Sequence, residues 1–333
     1  MKAVIMTTAG KPEVLKLTTV PTPAIQQPTE LLVSLKAAGV NPIDTKIRRR
    51  GSFYPDRMPA ILGCDGAGIV EAVGSRVQRF KVGDAVYFCN GGLGGQPGNY
   101  AEFAVVDERF AAHKPKSLSF VAAAAAPLVL ITSWEALYDR ACLSSGQRVL
   151  IHAGAGGVGH VAIQLAKLKG AQVCTTVRSE DKADFVGRLG ADHCIYYPRI
   201  DFAEASLAWT NGQGVDVAFD TVGGEVFAKT FAAVRVYGDI VTLLAPAPET
   251  NWKIARDRNL RVSYELMLTP MLQGLVAAQQ HQADILQQCA RWIDEGKLHI
   301  HLNQTFPLEN AAGAHRFLEG GSMVGKVALL IES

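Results

Sequence analysis

The sequence predicts an α/β protein in two parts, mostly β at first and a doubly wound parallel sheet after it, and three observations carry that prediction. From Met1 to about Leu118, short β-type segments are separated by Gly and Pro. From Arg148 onward, apolar strand-like runs alternate with helical segments, and a glycine-rich turn joins the first run to the first helix. A length of 333 residues exceeds the roughly 100–200 of one domain, and 48% apolar residues suffice for two cores. Domains are expected at 1–122 and 123–268, with 269–333 returning to the first.

Taken in order, Glu30 to Lys36 and Gly83 to Phe88 are β segments of the first part, and Ala122 to Ala126 reads as a tightly packed helix at the junction. Arg148 to Ala153 is then a strand, followed by a helix with Val158, Val161, Leu165 and Leu168 on one side. Gln172 to Val177 is the second strand, and a helix runs through Phe185, Val186 and Leu189. Cys194 to Tyr197, Val215 to Asp220 and Asp239 to Leu244 follow as strands, with a helix from about Glu225 to Arg235 between the last two. Several are continuous apolar runs without alternation, the mark of parallel strands covered on both faces. Beyond Pro270 come a long helix to about Gly296, a helix near Glu309 to Leu318 and a last strand, Lys326 to Ile331.

Thirty-three basic residues against thirty-one acidic ones leave a net charge of +2, so no field marks nucleic acid or an anionic membrane as partner; a small molecule is expected instead. The longest apolar stretch, Phe120 to Ile131, is broken by Pro127 and falls short of the ~20 residues that span a bilayer. The first residues lack the apolar core of a signal peptide, which predicts a cytoplasmic protein. Six cysteines without a C-x-x-C pair suit reduced thiols, with neither a disulfide framework nor a zinc knuckle.

Gly154-Ala155-Gly156-Gly157-Val158-Gly159 fits G-x-G-x-x-G between a strand and a helix. Glycines there allow a tight turn and close approach of a pyrophosphate to the helix N-terminus. The second strand should end in Asp or Glu if the ligand is NADH; it ends Val177-Arg178-Ser179. Arg178, Ser179 and Lys182 can bind a 2′-phosphate through charge and hydrogen bonds, which favours NADPH. The plainer reading makes Arg178 and Lys182 solvated residues at a helix start, where the dipole stabilises Glu180 and Asp181. His152, in a central strand, reads as a packed core histidine.

The chain resembles the medium-chain dehydrogenase/reductase superfamily, and more closely its zinc-independent quinone oxidoreductase, or ζ-crystallin-like, branch. The resemblance lies in Lys2-Ala3-Val4, Ala38-Gly39-Val40-Asn41-Pro42-Ile43-Asp44-Thr45-Lys46, Gly63-Cys64-Asp65-Gly66-Ala67-Gly68, Val82-Gly83-Asp84, Thr132-Ser133-Trp134-Glu135, the glycine turn and Gly325-Lys326-Val327. It implies a GroES-like catalytic domain, a Rossmann domain, a cofactor in the cleft between them and often a homodimer. The dimer would form through the edge strand Arg261 to Met267. Zinc-dependent relatives carry ligands in the blocks matching Asn41 and Cys64, and a third where Leu128 falls. No catalytic or structural zinc site is therefore expected, and Cys64 reads as a buried small residue.

On this reading Asn41 donates a hydrogen bond to the acceptor's oxygen, with Lys46 or Tyr54 as a further donor or water-mediated proton source. Lys46 stands where some relatives have tyrosine. Thr132 would position the nicotinamide, Lys326 would approach the cofactor, and Tyr197, matching a tyrosine after the third strand, would pack near the adenosine. The expected activity is NADPH-dependent reduction of a quinone or α,β-unsaturated carbonyl. A non-catalytic NADPH-binding protein is the alternative from another class, and a zinc alcohol dehydrogenase fails on its ligands.

Overall fold

The computed structural model describes residues 1–321 and 323–332. The chain divides into two compact units, Met1–Leu128 with Leu268–Ser333, and Val129–Met267.

The Val129–Met267 unit is built on a six-stranded sheet in the order His193–Tyr196, Gln172–Val177, Arg148–Ile151, Val215–Asp220, Val234–Thr242, Arg261–Tyr264. Every pairing is parallel. Leu150, Cys174, Ile195, Ala218 and Ile240 from five adjacent strands share one core with Phe227 and Phe231 of the helix Gly224–Ala233. Burial on both faces is why several of these strands carry short continuous apolar runs in the sequence. Strand order reverses beside Arg148–Ile151, and in such sheets the crevice outside the carboxyl ends at the reversal receives the ligand. The glycine turn leaves the first strand there.

His152, just past that strand, is buried and hydrogen-bonded at 2.9 Å to Thr230 Oγ1. Burial pulls its pKa down to about 4, so it is a neutral core histidine at pH 7. The edge strand stops at Tyr264, three residues short of the expected Met267, while the backbone N–H of Glu265 still donates to Thr242 O at 2.9 Å. The Glu265 carboxylate is buried and receives Arg140 at 2.9 Å.

The other unit carries a three-stranded sheet, Leu15–Thr19, Lys2–Met6, Ala60–Ile61, and a seven-stranded one. The larger runs Leu302–Pro307, Lys326–Leu330, Glu30–Val40, Asp65–Val73, Ala85–Cys89, Ala111–His113, with Phe103–Asp107 also paired to Glu30–Val40. Lys326–Leu330 lies antiparallel to Glu30–Val40, with Val327 opposite Val40. That register places the Lys326 backbone beside Asn41. The helix expected from Pro270 to Gly296 is two, Thr269–Gln273 and Val276–Asp294. Gly274 between them has φ +64°, a left-handed conformation that ends the first helix at little cost to glycine. Among the described residues no helix is long and apolar enough to cross a membrane.

Candidate active site

The glycine turn is shaped for a backbone-held anion. A Cβ on Gly154 would stand 2.1 Å from Thr175 Oγ1, and one on Gly159 would stand 2.4 Å from Ala153 O, so neither position admits a side chain. Gly156 caps the helix Gly157–Leu168 and brings no side-chain acceptor, which leaves the first-turn N–H groups to an external acceptor. Ala155 and Val158 complete the turn. These residues fit the pyrophosphate of a dinucleotide.

At the carboxyl ends of the neighbouring strands lies a cavity of about 360 Å³, lined by Arg178, Ser179, Glu180, Asp181, Tyr196, Pro198 and Arg199. Ser179 is the N-cap of the helix Glu180–Arg188, yet its side chain makes no capping bond. Among the described residues neither the Arg178 nor the Arg199 guanidinium has an ion-pair partner. Two cations and a hydroxyl therefore face one cavity uncommitted, at a helix N-terminus whose dipole adds to their field. Glu180 and Asp181 share the wall, but they sit in the first helical turn, where that same dipole favours carboxylates.

Two residues expected here are placed otherwise. Lys182 and Tyr197 do not line the cavity. The third strand ends at Tyr196, and the tyrosine facing the cavity is Tyr196, while Tyr197 is 48% exposed. Arg199 escaped sequence reading because a lone arginine after Tyr-Tyr-Pro has no periodic signal; the one available cue was its position at the end of the third strand, next to the end of the second. Thr132, in the same unit, is buried in the helix Pro127–Trp134.

In the other unit the structure brings Asn41 and Lys326 together, two residues given separate roles from sequence. Asn41 is the N-cap of the helix Pro42–Arg50, with Pro42 at its first position. Its backbone N–H donates to Asp44 Oδ2 at 2.8 Å, and its carbonyl accepts from Asp44 N–H at 3.0 Å. Its Nδ2 donates to Asp65 Oδ2 at 2.8 Å, and its Oδ1 accepts from Lys326 Nζ, which also reaches Val40 O at 3.2 Å. Tyr100 Oη joins Asp44 Oδ2 at 3.1 Å to His315 Nε2 at 3.2 Å. All six side chains are buried.

Burial shifts the acids upward, Asp44 to about 7 and Asp65 to about 6, against the opposing pull of the Asn41 N–H on the first and of Lys326 on the second. Burial likewise lowers the Lys326 pKa, with Asp65 and Asp44 opposing. The same helix carries half-buried Lys46, whose pKa is lowered by burial and by Arg50 and Arg49. Lowering makes its ammonium a readier proton donor. Tyr54 is half-buried, with the Arg57 guanidinium 5.6 Å over its ring and Gly95 packed on one side, where a Cβ would come within 2.9 Å.

A catalytic zinc does not fit this arrangement. Asn41 is held by an ammonium, which repels a dication. Leu128 offers Asp65 only its backbone N–H, at 3.0 Å. Cys64 is fully buried; the Cys89 thiol favours its ionised form, but burial with Asp44 and Asp65 keeps its pKa above the usual thiol value. No metal-binding cluster occurs among the described residues. Activity is expected to survive dialysis against a chelator, and a loss restored by added zinc would overturn this assignment.

A doubly wound sheet with a side-chain-free glycine turn at its strand reversal, in a chain that also carries a mixed β unit, defines a dinucleotide-dependent dehydrogenase or reductase. A family model for an alcohol dehydrogenase GroES-like domain matches residues 27–116, and one for a zinc-binding dehydrogenase matches residues 189–329. The quinone oxidoreductase of Pseudomonas aeruginosa is 34% identical over 325 residues, 96% of this chain and 97% of that one. The 2-methylene-furan-3-one reductase of Solanum lycopersicum is 33% identical over 340 residues, 99% of this chain and 79% of that one. A solved mycobacterial protein complexed with NADPH superposes with TM-score 0.87 at 30% identity, over 99% of both chains. The chain belongs to the medium-chain dehydrogenase/reductase superfamily, in its zinc-independent quinone oxidoreductase branch.

Proposed function

We propose that the protein is a cytoplasmic NADPH-dependent reductase that delivers hydride to a quinone or an α,β-unsaturated carbonyl without a metal. The observation that carries the reading is the cavity beside the second strand, where Arg178, Arg199 and Ser179 present uncommitted donors suited to a 2′-phosphate. Relatives named quinone oxidoreductase and 2-methylene-furan-3-one reductase support the acceptor class.

When bound, the nicotinamide supplies the hydride. The chain's own residues hold the pyrophosphate on the glycine turn and the 2′-phosphate between the arginines, and Thr132 positions the reactive ring. Hydride addition to such an acceptor leaves negative charge on an oxygen, as an enolate or hydroquinone anion. Asn41 donates to that oxygen, and Lys46 or Tyr54 supplies a further hydrogen bond or passes a proton through water. Consumption of NADPH with 1,4-benzoquinone or an enone, against a saturated ketone, tests the reading. No turnover with any acceptor, together with tight NADPH binding, would favour the non-catalytic alternative.

The homodimer belongs to the same reading. Arg261–Tyr264 is an edge strand with unpaired backbone groups, and Tyr264 and Leu266 are 55% and 51% exposed. Light scattering at micromolar concentration is expected to give twice the chain mass of 35.7 kDa; a monomer would contradict it.

A further inference from the structure

We infer that Lys326 is a positioning residue for Asn41: its ammonium and the Asp65 carboxylate hold the Asn41 carboxamide from opposite ends, fix its orientation and strengthen its remaining N–H as a donor to the acceptor's oxygen. The inference rests on the reading of Asn41 as that donor. It replaces the expectation that Lys326 contacts the cofactor.

Carboxamide oxygen and nitrogen are nearly the same size, so an asparagine's orientation is set by what faces each end. An ammonium can only donate, so the atom facing Lys326 Nζ is Oδ1. An ionised carboxylate can only accept, so the atom 2.8 Å from Asp65 Oδ2 is Nδ2. Reversal would set N–H against ammonium and oxygen against carboxylate, losing both bonds and adding two repulsions. The backbone is locked as well, because Asn41 and Asp44 exchange two hydrogen bonds. One Nδ2 hydrogen remains without a partner among the described residues, although the side chain is fully buried. A buried N–H left unpaired is costly, which points to an acceptor arriving there.

Polarisation follows from the same contacts. A cation on Oδ1 draws electron density through the amide, and hydrogen bonds in a chain reinforce one another in a medium of low dielectric. The cation is itself held, because Val40 O accepts a second Nζ hydrogen and Val327 pairs with Val40 in the sheet. Two of the three Nζ hydrogens of Lys326 are thereby committed around Asn41, to Oδ1 and to Val40 O.

The test uses the full-length protein with 1,4-benzoquinone, measuring kcat and, by fluorescence titration, the Kd for NADPH. Lys326→Met is expected to lower kcat about tenfold, with the Kd for NADPH changed by no more than about twofold. Lys326→Arg should recover most of the loss. Lys326→Met should cost nothing further in an Asn41→Ala background, because the lysine acts through the asparagine. A tenfold rise in Kd for NADPH would instead make Lys326 a cofactor ligand, and multiplied losses in the double variant would make its action independent of Asn41. Either result overturns the inference. Should Lys326→Met fail to fold because the buried Asp65 charge is left uncompensated, Lys326→Met with Asp65→Asn removes both charges and should show at least the same kcat loss, because both ends of the Asn41 clamp are then altered; an unchanged kcat there also overturns it. Asn41→Ala at full kcat would overturn the donor role of Asn41 itself, a separate failure that leaves the NADPH reading standing.

Discussion

Truncating Arg178 and Arg199 together is expected to raise KM for NADPH by about two orders of magnitude and to leave KM for NADH nearly unchanged. Each guanidinium would give the 2′-phosphate a charge-assisted contact worth about 1.5–3 kcal/mol, and the low end applies because both side chains are exposed and screened. One arginine then accounts for roughly tenfold. The double variant should lose somewhat less or more than the product of the singles, because both charges act on one phosphate and cannot be independent. Lys182→Ala, away from the cavity wall, should change little. NADH lacks the phosphate, so it serves as an internal control for folding and for the glycine turn. Equal losses with both cofactors would show that the arginines act on the pyrophosphate or on the fold. The same variants should also flatten the salt dependence of NADPH binding.

How legible this site was in the sequence depended on whether its residues are held by local or by distant structure. The glycine turn is local: strand, turn and helix lie within Arg148 to Leu168, and the spacing of Gly154, Gly156 and Gly159 states the backbone geometry outright. The parallel sheet was legible for a similar reason, since two-sided burial writes itself into Val149-Leu150-Ile151 and Val217-Ala218-Phe219 as short unbroken apolar runs. Arg178 and Ser179 could be read because a strand end is a defined place in this fold.

Arg199 and Tyr196 could not, because the third strand's end is fixed by its pairing, with Val177 opposite Tyr196, and a shift of one residue reverses which tyrosine faces the cavity. Lys326 is the clearest case of distant control. A lysine after glycine near the end of a chain reads as a solvated or ligand-facing cation, and only the antiparallel register with Glu30–Val40 turns it inward to Asn41. Tyr100 and His315 reach the same cluster by contacts that no sequence spacing records.

The acceptor comparison carries the largest expected effect. With NADPH as donor, 1,4-benzoquinone or cyclohexenone should turn over about two orders of magnitude faster, or more, than cyclohexanone. Reduction of a saturated ketone builds an alkoxide on a single oxygen, and without a Lewis acid that charge has only hydrogen bonds to meet it. Conjugation spreads the charge instead, and a fixed amide N–H with a neighbouring ammonium is then enough. Asn41→Ala should therefore lower kcat/KM for the quinone by roughly ten- to a hundredfold, equal to about 1.4–2.7 kcal/mol of transition-state stabilisation. It should not abolish turnover, since holding donor and acceptor in register contributes most of the acceleration. On the proposed reading the arginines of the Val129–Met267 unit meet only the 2′-phosphate and Asn41 of the other unit meets only the acceptor, so Asn41→Ala should spare KM for NADPH while the arginine variants spare kcat. Faster turnover of cyclohexanone than of cyclohexenone would overturn the mechanism, because delocalisation of charge into the acceptor would then not be what the site exploits.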